Sequence, residues 1–262
     1  PDIRSRMSVA AYSNRLYAMG GYRTSVAVTN VFVFDGTNWI QTQGLPAPRH
    51  SMASSVLNGR LYALGGQNVA GAATNVYSFN GTSWTEAAGL PLPRYAAAAV
   101  TWENRLYLIG GYNAADVAQT NALRFDGAQW TEIPGLPGNA AYAGAAVLAN
   151  AMNVMGGAIS SNTFRYNGTN WLPGAVMPAQ RSAFAGAVLN GYYYAAGGAG
   201  PGGAARANTY RYRGRVYDSG VEPSSGPTAG GFSVAIRGSN LCSGSMSDVI
   251  EVRLCNIPAT LN

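Results

Sequence analysis

The chain has 262 residues, 47% of them hydrophobic and only 11% charged, with 34 Gly and 13 Pro. A typical soluble domain is roughly 25% charged, so this composition excludes solvated disorder and charged helical bundles. The net charge of +6 comes from 17 Arg and no Lys, scattered along the chain and not gathered into the basic run of a nucleic-acid footprint.

Pro1 opens directly into repeat-like sequence, as expected of a mature or excised segment. Paired glycines follow an apolar run at Leu16–Gly21, Leu61–Gly66 and Leu106–Gly111, with looser copies at Asn153–Gly157 and Tyr194–Gly198. Self-similarity at this period signals a stacked-repeat architecture. Each unit also carries two aromatics five positions apart: Phe34 and Trp39, Phe79 and Trp84, Phe125 and Trp130, Tyr166 and Trp171, Tyr212 and Tyr217. In the first four units, Asp-Gly or Asn-Gly lies between them, the dipeptides of tight hairpin turns.

One unit reads as four short antiparallel strands, predicted at 51–57, 61–64, 76–79 and 83–85, with Asn58-Gly59 turning between the first two. The second strand is apolar on both faces, as in a sheet sandwiched between neighbours. No single sheet can bury both faces, but stacking such sheets around an axis can.

These residues resemble the kelch repeat family over residues 1–217. The resemblance implies an all-β kelch-type propeller with five four-stranded blades visible. Kelch propellers serve as adaptors, actin binders, extracellular modules and enzymes, so the fold leaves function open. Many are stitched closed by a terminal strand, and closed rings more often have six or seven blades. No stitch is visible here, so the ring has either five blades closed by packing alone or a further blade outside this segment.

A second domain is expected over 218–262. A Pro/Gly/Ser stretch at 221–231 leads into alternating Phe232, Val234 and Ile236, and Ile250, Val252 and Leu254 alternate in the same way. With Gly238-Ser239-Asn240-Leu241, this tail resembles the start of an IPT/TIG immunoglobulin-like domain, here a partial β-sandwich. Its remaining strands come from a longer chain or from a neighbouring subunit, the latter giving self-association. Cys242 and Cys255 flank the segment and are either one disulfide or two reduced thiols.

Catalytic parts are missing. His50 is the only histidine, so neither a multi-imidazole metal site nor a copper-radical oxidase of the galactose oxidase type fits, and no nucleophile elbow accompanies it. No metal or other cofactor is expected. Arg4, Arg49, Arg94 and Arg181 each precede their glycine pair by the same interval, and the fourth unit has Asn139-Ala140 there. A propeller would set them around one channel mouth, where they either grip an anionic ligand in bidentate fashion or tie loop carbonyls to the next blade. Tyr95 and Tyr142 lie beside this set and are discounted as sites. Arg15, Arg60 and Arg105 fall on the opposite rim as solvated turn residues. Asn80-Gly81-Thr82 and Asn167-Gly168-Thr169 are glycosylation sequons at equivalent hairpin turns; turn geometry alone also favours Asn-Gly there.

The reading is therefore a non-enzymatic extracellular or cell-surface structural or adhesion protein. It contacts other proteins or glycans and is able to assemble into a filament, with no nucleic acid and no membrane-spanning segment. Two other readings are an intracellular kelch scaffold that binds an acidic peptide on its Arg-lined face and, more distantly, a channel-mouth epimerase or hydrolase.

Overall fold

The computed structural model describes residues 2–158 and 160–213, and beyond them four two-residue strands. The chain divides into two compact units, Pro1–Gly214 and Arg215–Asn262.

The first unit is a five-bladed β-propeller. Blade 1 is an antiparallel sheet of Ser8–Tyr12, Arg15–Met19, Val31–Phe34 and Trp39–Thr42 in spatial order. Blade 2 repeats it with Ala53–Leu57, Arg60–Leu64, Val76–Phe79 and Trp84–Ala87, and blades 3 and 4 do so from Ala98 to Ile133 and from Gly144 to Pro173. Blade 5 has three strands among the described residues, Ala185–Leu189, Tyr192–Ala196 and Thr209–Arg213. Tyr217, its expected outer aromatic, lies outside the described residues. The first strands of successive blades pack on one another, which makes them the innermost strands.

Local chemistry sets the hairpins. Asn58 and Gly59 both have positive φ, 49° and 67°, the geometry of a two-residue turn matched to strand twist. At the outer hairpins, Asp35, Asn80, Asp126 and Asn167 each accept two backbone N–H bonds with one side-chain oxygen. Asn80 thereby holds Ser83 in the turn, so the fourth strand of blade 2 starts at Trp84 and not at the expected Ser83.

Side chains alternate between faces, so each second strand serves two interfaces. Leu61 and Ala63 pack toward blade 1, while Tyr62 and Leu64 pack toward blade 3. Four apolar clusters result, one at each junction from blades 1–2 to blades 4–5. The glycine pairs let the backbones close in. Gly65 has φ +56°, and a Cβ there would sit 2.2 Å from the Arg94 carbonyl oxygen of the next blade. Its neighbour Gly66 donates its N–H to that same carbonyl at 2.9 Å.

Among the described residues, no comparable cluster joins blade 5 to blade 1. Leu16, which occupies the position of the fully buried Leu61 and Leu106, is 42% exposed. Every residue of Ala185–Leu189 is exposed as well. Among the described residues, blade 5 therefore does not pack on blade 1 as the blades of the internal junctions pack on one another.

In the second unit, Val221–Glu222 pairs with Ala235–Ile236, and Arg253–Leu254 with Ile257–Pro258, both antiparallel. Cys242 and Cys255 lie outside the described residues, so their pairing has no structural reading.

Candidate functional site at the channel mouth

The loops from second to third strand and those that enter each first strand share one end of the propeller. The phased arginines enter here, and three of them are buried: Arg49 and Arg94 are 2% exposed and Arg181 0%. Each aims its guanidinium inward. Arg4, Arg49 and Arg94 donate from Nη1 to the carbonyls of Gly20, Gly65 and Gly110 at 2.8–2.9 Å, and Arg181 does the same to Gly197. The loop asparagines finish the arrangement: Arg49 Nη2 reaches Asn75 Oδ1 at 3.0 Å, Arg94 Nη1 reaches Asn121 Oδ1 at 2.8 Å, and Arg181 Nη1 reaches the Asn208 carbonyl at 2.9 Å. Arg4 also pairs with Asp2, whose other oxygen takes Arg23 Nε at 3.0 Å; the Arg4 side chain holds the Asp2 carboxyl below its ordinary pKa.

These four residues are thus internal struts and not a displayed ligand face, which removes the physical basis for an Arg-lined anion site. The cause is the glycine pair. Its positive-φ turn leaves a carbonyl pointing into the blade, and a long side chain with several donors satisfies it while filling the space beside it. Asn75 passes the strut's charge outward by donating from Nδ2 to Glu86 Oε1 at 2.7 Å. The fourth unit has buried Ala140 in place of the strut and a shorter loop.

Two positions after each strut, Arg6, Ser51, Ala96, Tyr142 and Ala183 all adopt φ between 50° and 56°. This bulge turns the chain into the channel and builds a belt: Ser51 N–H donates to the Arg6 carbonyl, Ala96 to Ser51, Tyr142 to Ala96 and Ala183 to Tyr142, at 2.7–3.0 Å. Beside the belt, half-buried and buried rings gather in two groups. Tyr22 meets His50 edge-on with ring centroids 4.9 Å apart, Tyr95 stacks on Tyr112 at 5.3 Å, and Tyr112 meets Tyr142 at 6.0 Å. Tyr95 donates its hydroxyl to Asp116 at 2.7 Å; burial first and this carboxylate second push its pKa well up.

A recess of about 260 Å³ opens between blades 1 and 2, lined by Arg6, Tyr22, His50, Gln67 and Asn68 among others. His50 Nδ1 sits 3.1 Å from Ser51 Oγ, and desolvation, then the charge of Arg6, lower its pKa. A second hollow, apolar and about 250 Å³, lies at the outer junction of blades 4 and 5 beside Met177, Tyr193 and Tyr212. Among the described residues, no group of three or more His, Cys, Asp or Glu gathers that is able to hold a metal ion, and no helix is long and apolar enough to cross a membrane.

Sequence reasoning placed Tyr95 and Tyr142 beside the mouth but discounted them, and it missed Tyr22, Tyr112 and the strut-capping Asn75, Asn121 and Asn208. The asparagines had a signal: each stands at the same offset before a third strand. The aromatics had a weaker one: Tyr22 and Tyr112 each follow a glycine pair, but their contacts with His50 and Tyr142 join different blades.

Asn80 and Asn167 are exposed on hairpins at the opposite end, where Arg15 and Arg60 are exposed too. Arg60 Nη1 reaches only Ser78 Oγ of its own blade, at 3.4 Å.

The family model described as Kelch motif matches residues 3–38 and 93–137, and that described as IPT/TIG domain matches 219–262. Among solved structures, one described as "Structure of YjhT" is similar over 82% of this chain and 82% of its own, with a TM-score of 0.74 and 16% identity. Comparison with curated proteins finds no match.

Proposed function

This chain is a five-bladed kelch-type propeller followed by an IPT/TIG domain, and on that premise we propose that it is a non-enzymatic interaction protein whose partner docks on the aromatic channel mouth. A kelch propeller together with an IPT/TIG domain suggests a protein-binding module. The observation that carries the assignment of the face is the pair Tyr22–His50 and the group Tyr95, Tyr112 and Tyr142, half-buried or buried rings in contact within each group and set beside the bulged belt. Pre-ordered aromatics lose little entropy on binding and dominate interface energetics. An extended peptide or a glycan ring fits such a surface, and the opposite rim offers only turn residues.

The reading extends to an extracellular or cell-surface setting, supported by the exposed sequons Asn80 and Asn167. They lie at the end away from the mouth, so attached glycans leave it free. Adhesion and filament assembly through the IPT/TIG segment belong to the same proposal and rest on the sequence of the tail alone.

Selection of binders from a displayed random-peptide library against the purified protein tests the face. Selected peptides are expected to lose affinity about tenfold or more on Tyr112→Ala or Tyr142→Ala, and to be indifferent to Arg60→Ala and Arg15→Ala. Binders that respond only to the opposite-rim pair overturn the assignment.

A further inference from the structure

Of the two aromatic groups at the mouth, one is supplied with a cation by the chain itself and the other is not. The Arg6 guanidinium lies over the Tyr22 ring, 5.7 Å from its centre. Arginines stand in the same way over Phe32, Tyr77, Tyr192 and Tyr210 elsewhere in the propeller. Among the described residues, none lies over Tyr95, Tyr112 or Tyr142. What this group has instead is a carboxylate. Asp116 is exposed, its Oδ1 takes the Tyr95 hydroxyl at 2.7 Å, and no arginine pairs with it among the described residues. In a chain with 17 Arg and 11 acidic residues, a carboxylate left without a cation is the exception.

The backbone holds these groups in place. Tyr95 and Tyr112 exchange both of their backbone bonds, at 3.1 and 2.8 Å. The loop that follows closes on Asn113: its Oδ1 accepts the Ala115 and Val117 N–H groups at 2.9 and 3.0 Å, and its carbonyl accepts Asp116 N–H at 3.2 Å. Tyr142 is fixed by the two belt bonds that join it to Ala96 and Ala183. Tyr95 and Tyr112 are thereby set 24° from parallel, and Tyr142 is turned 63° to Tyr112. Past Tyr142 the large side chains stop. The bridged positions of Tyr95 and Tyr112 are taken in blade 4 by Ala141 and Ala158 and in blade 5 by Ser182 and Ala199.

We infer that Tyr112 and Tyr142, together with the Asp116 carboxylate, bind the ammonium group of a lysine side chain carried by a peptide that docks on the mouth. The inference rests on the docking reading above and names the chemistry of its partner. Ring faces attract a cation through their quadrupole, and a carboxylate with one oxygen on Tyr95 keeps the other for a charge-assisted bond. A compact ammonium suits two rings set at an angle, whereas a planar guanidinium lies flat on one. Of the two occupants that the rings alone admit, a peptide answers this charge and a neutral sugar ring does not.

Peptides selected against the purified protein, sorted by their dependence on Tyr112, test this. Those that need Tyr112 are expected to contain lysine. Exchanging that lysine for norleucine keeps the alkyl stem, removes the charge and should weaken binding about fivefold or more. Asp116→Asn should weaken it as much, although its amide oxygen still takes the Tyr95 hydroxyl. Mouth-dependent peptides that lack lysine, or that ignore both changes, overturn the inference and leave the docking face standing. If every peptide binds away from the mouth, the docking reading falls, and methylammonium alone decides, titrated against sodium at equal ionic strength. Shifts of the Tyr112 and Tyr142 ring resonances that vanish in Asp116→Asn sustain the cation site; shifts alike in both proteins, or in neither, remove it.

Discussion

A buried arginine that pairs with carbonyls and amides instead of a carboxylate is an expensive device, because removing the charge from water costs several kcal/mol unless its donors are used. Arg49 uses them on Gly65, Asn75 and the Tyr77 hydroxyl, and its guanidinium lies 5.0 Å from the Tyr77 ring centre. Substituting Arg49→Met keeps the stem but leaves those acceptors unpaired. The expected loss is about 2–4 kcal/mol of stability in urea unfolding, against less than about 0.5 kcal/mol for the exposed Arg60→Met. Equal costs would mean that the struts contribute nothing. The sequence already showed the phase of these arginines, but phase is common to a ligand ring and a set of struts. Burial and acceptor geometry decide between them, and both depend on residues 16 to 28 positions away. His50 gives a second test at this scale. Its folded pKa lies below the ordinary 6.5, through burial and then Arg6, so in the window between the two values the unfolded chain binds more protons. Stability should therefore fall as pH drops through about 6.5. His50→Gln should flatten that part of the profile, and a slope unchanged in the variant would assign it elsewhere.

Within each element, the glycine pair sets the spacing between blades, and two glycines of blade 2 separate conformational strain from crowding. Gly59 and Gly65 both have positive φ, but only Gly65 faces the next blade's backbone, whereas nothing lies within 4 Å of a Cβ built on Gly59. Gly59→Ala should cost about 1 kcal/mol, the left-handed penalty alone. Gly65→Ala should cost at least about 2 kcal/mol more, because the Arg94 carbonyl has to move and takes the Gly66 hydrogen bond with it. Thermal or urea unfolding of the pair checks the difference, and equal costs would show that the close approach relaxes freely. At this scale the fold was readily legible. Strand alternation, Asn-Gly turns and the aromatic pair of each outer hairpin are all local signals, and they produced the right strands to within a residue or two. Closure of the ring was not legible, since it depends on which blade faces meet, and blades 1 and 5 differ from the others in exposure and not in pattern. The mouth was hidden for the same reason: Tyr22 and His50 are neighbours only because two blades bring them together.

Over the propeller as a whole, the two ends of each blade differ in chemistry: one carries the two aromatic groups, the other the turn residues and both sequons. The Asn80 and Asn167 side chains each use Oδ1 to close their turns, leaving Nδ2 as the group that a glycan would modify. Replacing the asparagines would break the turns as well as the sequons, whereas Thr82→Val and Thr169→Val abolish recognition of N-x-Ser/Thr and keep the backbone N–H groups that the turns need. In a secretory host, the unaltered protein should lose mass on enzymatic deglycosylation and the double variant should not. Both should melt within a degree or two of one another once deglycosylated, because the threonine hydroxyls make no turn bond. Peptides selected on the mouth should bind both forms equally, since the sugars lie at the far end of every blade. A wild-type protein that enters the secretory pathway yet leaves Asn80 and Asn167 bare would return these asparagines to turn geometry alone. Loss of mouth binding on glycosylation would instead mean that the partner reaches round to the other rim.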